Sequence, residues 1–343
     1  MKERNCSLDM FRLLAAVLVV MCHTHIFKDV NQELYFAVSQ QLPRFTVPFF
    51  FGVTGYYYIG ALMKGKDILK KQMAGLMKAY IAWTIIYYAA SFGVNVILGD
   101  VDIVTFLVER VIFFFTVGSY SHMWYMISLI YAVLITTLVF KVAGEKGIRI
   151  LACLGIVFTI IAAFGRVYYP YGSQVPFLAT LYDSEHFLTL AQWFGMGIPY
   201  FTLGYFVQKE ESGSKRWSDK TVWVLWTAAV LLFVAEICLI TFGVKYYEKP
   251  EVNVSVYFLT IMNIIVLLRN PMPKYVKQAQ IGKTLSSFVY FSHPLVILII
   301  EKAGEMLSVT IHSVILTILV LAITCIGGYL LSKVNWKIVK YFI

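Results

Sequence analysis

The side chains that could perform chemistry are concentrated in the first apolar stretch of the chain, residues 8–27. This stretch carries Asp9, Arg12, His23 and His25 among residues that are otherwise mostly apolar. An imidazole titrates near neutral pH and can act as a general base, and a guanidinium can hold an anion. Because ionisable groups are costly inside a bilayer, each one predicts a functional site.

A helix over this stretch would place two of these groups on one face. Arg12 and His23 are eleven positions apart, so they differ by about 20° around the helix axis and by about 16 Å along it. Asp9 precedes Arg12 by three residues, which is close enough for an ion pair. His25 points away from His23 by about 160°. The alternative interpretation is that Asp9 and Arg12 anchor the helix at the interface and that His23 is a helix-end histidine.

The composition indicates what must position these residues. Of 343 residues, 59% are hydrophobic and 14% are charged, and the mean hydropathy is +0.74; a soluble domain has about 25% charged residues. The long apolar runs predict an all-α polytopic membrane helix bundle and not an outer-membrane barrel. We expect the first apolar run to be retained and not cleaved. The five cysteines are scattered, so they predict neither a disulfide framework nor a metal site.

Ten transmembrane helices of suitable length are predicted. Their approximate bounds are residues 8–27, 45–62, 80–98, 123–140, 149–168, 188–207, 221–243, 254–268, 286–301 and 310–332. With the N-terminus inside, the inner segments carry 21 Lys and Arg residues and the outer segments carry seven. The positive-inside rule therefore predicts that both termini are cytoplasmic, and it explains the net charge of +10 without a nucleic-acid surface.

Two further expectations concern the organisation of the chain. Segment 99–121 is apolar but is interrupted by Glu109 and Arg110, so we expect an interfacial or re-entrant segment on the outer face. The polar gaps between the predicted spans are short. We therefore expect residues 1–343 to form a single integral-membrane domain with no appended soluble domain.

Other polar residues could face the same cavity as the first span. His122, with Trp124 beside it, stands at the outer end of the fourth predicted span. The topology places it at the same depth as His23, so the two histidines are candidate partners. The ninth predicted span contains Tyr290 and His293, directly before a proline that would kink the helix.

Four charged residues each have two interpretations. Lys70, Lys71 and Lys78 form a cationic group at the cytoplasmic entrance of the third predicted span. They either anchor the helix at the membrane surface or form a phosphate-binding mouth for a donor. Glu236 lies within the seventh predicted span and is either a functional carboxylate or a helix–helix hydrogen-bonding group.

Four motifs in order resemble acyltransferase family 3, whose members are integral-membrane proteins that O-acylate cell-surface polymers. Arg12 and His23 fit the arginine–ten residues–histidine motif of its first helix. VPFFFGVTGYYY resembles its phenylalanine-rich second-helix motif, HMWYMISLI its His-x-Trp motif, and YFSHPLVI its Tyr-x-x-His-Pro motif. The resemblance covers nearly the whole chain.

The resemblance implies a reaction at a bacterial plasma membrane. A cytoplasmic acyl-CoA, often acetyl-CoA, would donate its acyl group to a hydroxyl of an extracytoplasmic cell-envelope glycan, and no bound cofactor is implied. In this reaction His23 would be the general base. Arg12 would hold donor phosphate or developing negative charge, and Asp9 would orient Arg12. His122 or His293 would orient His23 or carry a proton.

The chain departs from the family pattern in two places. The Arg-x-x-Arg pair before the third helix, which the resemblance places opposite the donor, falls on Gln72 and Gly75. Ala191 and Gln192 stand near the place where the sixth helix often begins with Arg-Asn. The membrane domain of vancomycin-resistance serine racemases is a related branch. Like this chain at residues 70–72, it has Lys-Lys-Gln before the third helix. An L-serine transport or supply module is therefore the alternative function.

Overall fold

The computed structural model of the chain describes residues 5–97, 99, 101–184, 186–213 and 216–334. Within these ranges the protein is all-α and has no strands, which confirms the predicted class. The α-helices are α1 (Cys6–His23), α2 (Gln32–Leu34), α3 (Thr46–Leu62), α4 (Leu69–Phe92), α5 (Ile103–Phe115), α6 (Trp124–Phe164), α7 (Tyr169–Gly172), α8 (Pro176–Tyr182), α9 (Phe187–Leu190), α10 (Ile198–Thr202), α11 (Gly204–Ser212), α12 (Asp219–Cys238), α13 (Ser255–Arg269), α14 (Val276–Met306) and α15 (Ser313–Lys333).

Shorter helical segments of other types extend or join these helices. The π-helical segments are Tyr35–Gln41, Gly93–Ile97, Ala191–Gly197 and Leu239–Val244, and the 3-10 segments are Leu42–Phe45, Ser121–Met123 and Pro273–Tyr275. The predicted cytoplasmic termini include residues 1–4 and 335–343, which lie outside the described residues.

Seven helical segments in the described part of the chain are long and apolar enough to cross a membrane. They are Cys6–His23, Gln32–Leu62, Leu69–Val96, Ser121–Phe164, Asp219–Val244, Pro273–Met306 and Ser313–Lys333. The protein is therefore a multi-pass membrane helix bundle. Segment Ser121–Phe164 covers predicted span 123–140 and most of predicted span 149–168. Gly144, with φ 58° and ψ −149°, interrupts the helix between them.

The two remaining predicted spans fall outside these seven segments. Predicted span 188–207 is a succession of short helices from α9 to α11, joined through the π-helical segment Ala191–Gly197. Predicted span 254–268 corresponds to α13, which has 15 residues. Hydropathy detects the apolar character of both stretches, but it does not detect breaks that arise when π-helical turns change the backbone direction.

Helix α1 is held by α14 and α15. Its residues Ala16 and Val20 are buried in one apolar cluster with Val289 of α14 and Val320 of α15. At Gly282 of α14, a Cβ atom would lie 3.2 Å from the α1 backbone. The absence of a side chain there lets the two helices approach closely. This packing fixes the face of α1 that carries Arg12.

The outer end of α1 is tied to α15 by hydrogen bonds. The hydroxyls of Thr24 and Thr317 are 2.7 Å apart, and the Phe27 N–H donates to Ser313 Oγ at 3.0 Å. The Asp29 carboxylate accepts hydrogen bonds from the Ser313 N–H, at 2.9 Å, and from the Ser313 hydroxyl. These two bonds from Ser313 lower the pKa of Asp29 below its ordinary value. The contacts fix the turn that follows α1.

Helix α3 packs closely against α10 and α11 through small residues. A Cβ atom at Gly55 would overlap the carbonyl oxygen of Phe201, and one at Gly204 would overlap the backbone of Tyr56. These glycines therefore allow a close backbone approach between the helices. The hydroxyl of Thr54 donates to the carbonyl of Phe50, one turn earlier in the same helix, at 2.8 Å.

Segment 99–121 forms a short helix. Helix α5 has 13 residues, and the carboxylate of Asp102 caps its N-terminus. Arg110 lies over the ring of Phe106 at 4.9 Å, and most other side chains of the helix are exposed. A span needs about 20 residues, so α5 is too short to cross the membrane. Residues 98 and 100 lie outside the described residues.

Candidate active site

Three histidines from three parts of the chain meet near the outer end of α1. His23 is the last residue of α1, His122 lies in the 3-10 segment directly before α6, and His293 lies within α14. The ring centroids of His23 and His293 are 5.0 Å apart, and those of His122 and His293 are 5.5 Å apart. His122 and His293 are buried, whereas His23 is partly exposed. The structure thus brings the three predicted partners together, with His293 contacting the other two.

Local structure explains the position of His23. Helix α1 ends at this residue, where the Thr24 hydroxyl folds back to the carbonyl oxygen of Val20 at 2.9 Å. His25 and Phe27 then have φ values of 52° and 69°, in the left-handed region. The chain therefore turns directly after His23. The spacing predicted that His25 would point away from His23, but α1 ends before His25, and both residues line the same cavity. The Nδ1 of His25 lies 3.0 Å from the Tyr35 hydroxyl.

Hydrogen bonds to its own helix fix the orientation of His293. Its Nδ1 lies 2.8 Å from the carbonyl oxygen of Tyr290 and 3.1 Å from that of Val289. A carbonyl oxygen only accepts hydrogen bonds, so the neutral ring carries its proton on Nδ1 and a lone pair on Nε2. This Nε2 is buried and has no hydrogen-bond partner within the described ranges. It is therefore available as a proton acceptor inside the histidine cluster.

Arg12 lies at the other end of α1 and lines a cavity of about 260 Å³. Its Nη1 donates to the carboxylate of Asp9 at 2.9 Å, as the spacing predicted. The cavity is lined by Arg12, Phe50, Thr54, Gln72, Gly75, Leu76, Ala79, Tyr125, Met126, Leu129, Lys283, Ser286, Ser287, Tyr290 and Phe291. We call it the inner cavity, because several of its residues belong to the cation-rich segments that predict the cytoplasmic side.

The three lysines of the predicted donor mouth do not line the inner cavity. Lys70, Lys71 and Lys78 are exposed on α4, whereas Gln72 and Gly75 of the same helix face the cavity. The reason is helical geometry: positions 72, 75 and 79 share one face of α4, and the lysines lie off that face. The family resemblance places an arginine pair at positions 72 and 75. These two positions line the cavity, but in this chain they carry the uncharged residues Gln72 and Gly75.

Sequence reasoning missed the second cation of the inner cavity. Lys283 of α14 lines it together with Arg12, and Ser286 and Ser287 follow on the same wall. A signal was present in the sequence. Lys283 precedes Tyr290 by seven residues, so the two residues share one face of the helix. The sequence indicated Tyr290 as a candidate site residue, whereas it indicated Lys283 only as one of the cytoplasmic cations.

A second cavity, of about 270 Å³, lies at the outer end of α1, and we call it the outer cavity. It is lined by Val19, Cys22, His23, His25, Gln40, Pro43, Arg44, Thr46, Val47, Ser121, Trp124, Leu188, Ala191, Gln192, Met196, Glu251 and Val252. Trp124, which the sequence singled out, thus lies at the wall beside His23. Gln192, at the place where the family often has Arg-Asn, lies there too.

Three aromatic side chains form a cluster in the wall of the inner cavity. The ring centroid of Phe50 is 6.3 Å from those of Tyr125 and Tyr290, and the latter two are 5.6 Å apart. All three line the inner cavity, while their neighbours Val47 and Trp124 line the outer one. We call these three residues the aromatic partition. The Tyr290 hydroxyl also donates a hydrogen bond to the backbone carbonyl oxygen of His122 at 2.8 Å.

Glu236 lies away from both cavities. Its carboxylate accepts hydrogen bonds from the Tyr168 hydroxyl at 2.8 Å and from the N–H groups of Val254 and Ser255, each at 2.9 Å. A carboxylate at a helix N-terminus is stabilising, and this one caps α13. The geometry favours the structural interpretation of Glu236.

The protein is thus a multi-pass membrane helix bundle with one cavity at each end of a histidine-bearing helix. No group of His, Cys, Asp and Glu side chains in the described part is arranged to hold a metal ion. The model of acyltransferase family 3, described as an acyltransferase domain, matches residues 5–333. The chain therefore belongs to this acyltransferase family.

The chain is also similar to curated bacterial proteins. An amino-acid racemase of Enterococcus faecalis is 27% identical over 358 residues, which covers 98% of this chain and 47% of the relative. A serine/alanine racemase of Enterococcus gallinarum is 24% identical over 351 residues, covering 97% of this chain and 47% of the relative. The chain thus spans about half the length of these relatives. No solved structure matches it.

Proposed function

We propose that the protein transfers an acyl group from acyl-CoA, bound at the inner cavity, to a hydroxyl of an extracytoplasmic acceptor bound at the outer cavity. One observation carries the proposal. Arg12 and His23 lie on one stripe of α1, and the first lines the inner cavity while the second lines the outer cavity. A single helix therefore connects a phosphate-binding cation to a general base, which an acyl transfer across the membrane requires.

The donor side rests on two cations. Arg12 and Lys283 line the same cavity, and CoA carries phosphate groups that an Arg or Lys side chain binds well. The ion pair with Asp9 holds the guanidinium of Arg12 in place. The proposed donor is therefore an acyl-CoA with its phosphates near the inner cavity and its thioester directed towards the aromatic partition.

The chemical step uses the histidine cluster. The oxygen of the acceptor hydroxyl attacks the thioester carbonyl carbon while His23 accepts the hydroxyl proton. The oxygen–carbon bond forms, the carbon–sulfur bond breaks, and the departing thiolate takes the proton back. The products are an O-acyl ester and free CoA. His293 contacts His23 and offers a lone pair on Nε2, so it can orient His23 or share its proton.

The aromatic partition favours a small acyl group such as acetyl. The partition residues line the inner cavity and adjoin Val47 and Trp124, which line the outer cavity. Their centroid separations are 5.6 to 6.3 Å. Aromatic rings at this spacing are in contact. A short acyl chain needs the smallest displacement of these rings to reach His23, which supports acetyl-CoA as the donor. The acceptor proposed from the resemblance is a cell-envelope glycan.

Two substitutions test the proposal. We expect His23→Ala and Arg12→Ala each to lower O-acylation of the cell envelope by at least about 100-fold, measured by mass spectrometry of the isolated envelope. His186→Ala and Arg149→Ala are matched controls, because both residues are exposed and line neither cavity. Wild-type acylation in either test variant, at equal protein in the membrane, contradicts the mechanism.

L-Serine supply is the second candidate, because the similar proteins include a serine/alanine racemase. The neutral residues Gln72 and Gly75 at the inner cavity are compatible with a substrate that carries no phosphate. Proteoliposomes containing the purified chain distinguish the two functions. Uptake of labelled L-serine without turnover of acetyl-CoA supports supply, and release of free CoA from acetyl-CoA without uptake supports acyl transfer.

A further inference from the structure

We propose that Arg44 binds an anionic group of the acceptor, a carboxylate or a phosphate, in the outer cavity. The inference rests on the proposed acyl transfer, because it concerns the acceptor that His23 would deprotonate. It adds a specificity determinant on a different element from the histidines. The substrate class it defines is a hydroxyl compound that also bears a negative charge.

The position of Arg44 provides the first argument. Arg44 lies in the 3-10 segment Leu42–Phe45, directly before α3, and lines the outer cavity together with His23. Its Nη2 donates to the Gln40 side-chain oxygen at 2.9 Å. Its Nε is buried and has no hydrogen-bond partner in the described part of the chain. A buried donor without a partner is costly, so its presence at a cavity indicates a ligand that completes it.

The charge balance of the cavity provides the second argument. Glu251 is the carboxylate that lines the outer cavity, and it is engaged by Arg166, whose Nε donates to its Oε2 at 2.8 Å. No ion pair of Arg44 with a carboxylate is present within residues 5–97, 99, 101–184, 186–213 and 216–334. The guanidinium of Arg44 is therefore the uncompensated charge of this cavity.

A ligand anion satisfies both observations together. A guanidinium binds a carboxylate or a phosphate through two parallel N–H donors, which is stronger than a neutral hydrogen bond. An anion on Arg44 would engage the free Nε and neutralise the charge. Because His23 lines the same cavity of about 270 Å³, a hydroxyl elsewhere on the same small molecule or sugar residue can lie near the imidazole.

Binding to the purified 343-residue chain in detergent tests the inference, with three probes of one ring size: glucuronate, glucose 6-phosphate and neutral glucose. We expect the anionic probe that matches the site to raise the thermal unfolding temperature at constant ionic strength, and glucose to leave it unchanged. Stabilisation by glucuronate alone identifies a carboxylate, and stabilisation by glucose 6-phosphate alone identifies a phosphate.

Variants assign the effect to the side chain. We expect Arg44→Gln to weaken binding of the anionic probe by at least about tenfold, and Arg44→Lys to retain part of it. Arg149→Gln, on an exposed helix surface away from the cavity, should bind as the wild type does. Each variant's unfolding transition without a probe shows that it is folded.

Three results would overturn the inference: equal stabilisation by glucose, undiminished stabilisation in Arg44→Gln, or no stabilisation by any probe. The binding measurement requires no acyl transfer, so it separates this inference from the proposed function. If the acyl transfer proposal fails and Arg44-dependent anion binding persists, the outer cavity is an anion site of another activity.

Discussion

The Nδ1 atom of His293 lies 2.8 Å from the carbonyl oxygen of Tyr290, three residues earlier in α14. This contact holds the proton on Nδ1 and leaves the lone pair on Nε2, in a ring that is in contact with His23. The orientation of the buried imidazole is therefore set by the backbone of its own helix. His293 is placed to position His23 and to share its proton.

The first prediction follows from this orientation. We expect His293→Ala to lower kcat for acyl transfer by about 100-fold, because His23 loses its buried neighbour, while KM for acyl-CoA stays within about twofold. Steady-state kinetics on purified protein measure both constants. His186→Ala is the matched control, since His186 is exposed and lines neither cavity. An unchanged kcat in His293→Ala would exclude the positioning role.

The second prediction concerns the aromatic partition. We expect Phe50→Ala to widen the passage between the cavities, and so to increase hydrolysis of acetyl-CoA without acceptor several-fold and to admit butyryl-CoA. The reason is that the Phe50 ring contacts both other members of the partition. Release of free CoA from acetyl-, butyryl- and hexanoyl-CoA measures the effect. Tyr57→Ala, at an exposed position of α3, is the control. Identical chain-length preference in Phe50→Ala and wild type would show that another element selects the acyl chain.

Much of this architecture could be predicted from the sequence because it depends on local periodicity. The apolar runs predict the membrane helices, and the eleven-residue spacing of Arg12 and His23 predicts their shared stripe. Both cavities lie along that stripe. His23 and His122 could be predicted as partners because hydropathy and the positive-inside rule place them at a similar depth, whereas a role for His293 beside His23 was implied only by the family resemblance.

The cavity walls could not be predicted, because they depend on how helices rotate against each other. Lys70 and Lys283 both lie at helix ends on the cation-rich side, and only the packed bundle shows that Lys283 lines the inner cavity. The isolated charge of Arg44 likewise appears only when Glu251 is seen to pair with Arg166. Tertiary pairing of charges leaves no signal in a single sequence.

The third prediction separates the two groups of lysines. We expect Lys283→Ala to raise KM for acyl-CoA by about tenfold with kcat unchanged, because a charge-assisted phosphate contact is lost from the bound donor. Lys70→Ala should leave both constants unchanged, since Lys70 is exposed and does not line the cavity. Kinetics with varied acetyl-CoA provide the measurement. A raised KM in Lys70→Ala with unchanged constants in Lys283→Ala would instead support the phosphate-binding mouth that was one interpretation of the lysines of α4.

The fourth prediction concerns the link between the turn after α1 and the start of α15. The hydrogen bonds from Ser313 lower the pKa of Asp29, so its carboxylate contributes stability above the ordinary aspartate pKa and loses it as the pH falls through the lowered value. We therefore expect wild type to unfold at a lower temperature as the pH falls through this range.

The Asp29→Asn variant isolates this contribution. We expect its unfolding temperature at pH 7 to be lower than that of wild type, and the difference to disappear at a pH where Asp29 is protonated. Thermal unfolding in detergent between pH 3 and pH 7, within the range in which an aspartate titrates, provides the test. Because the same turn follows His23, we also expect reduced acyl transfer in Asp29→Asn. A constant difference in unfolding temperature across this range would show that the Asp29 charge does not stabilise the turn.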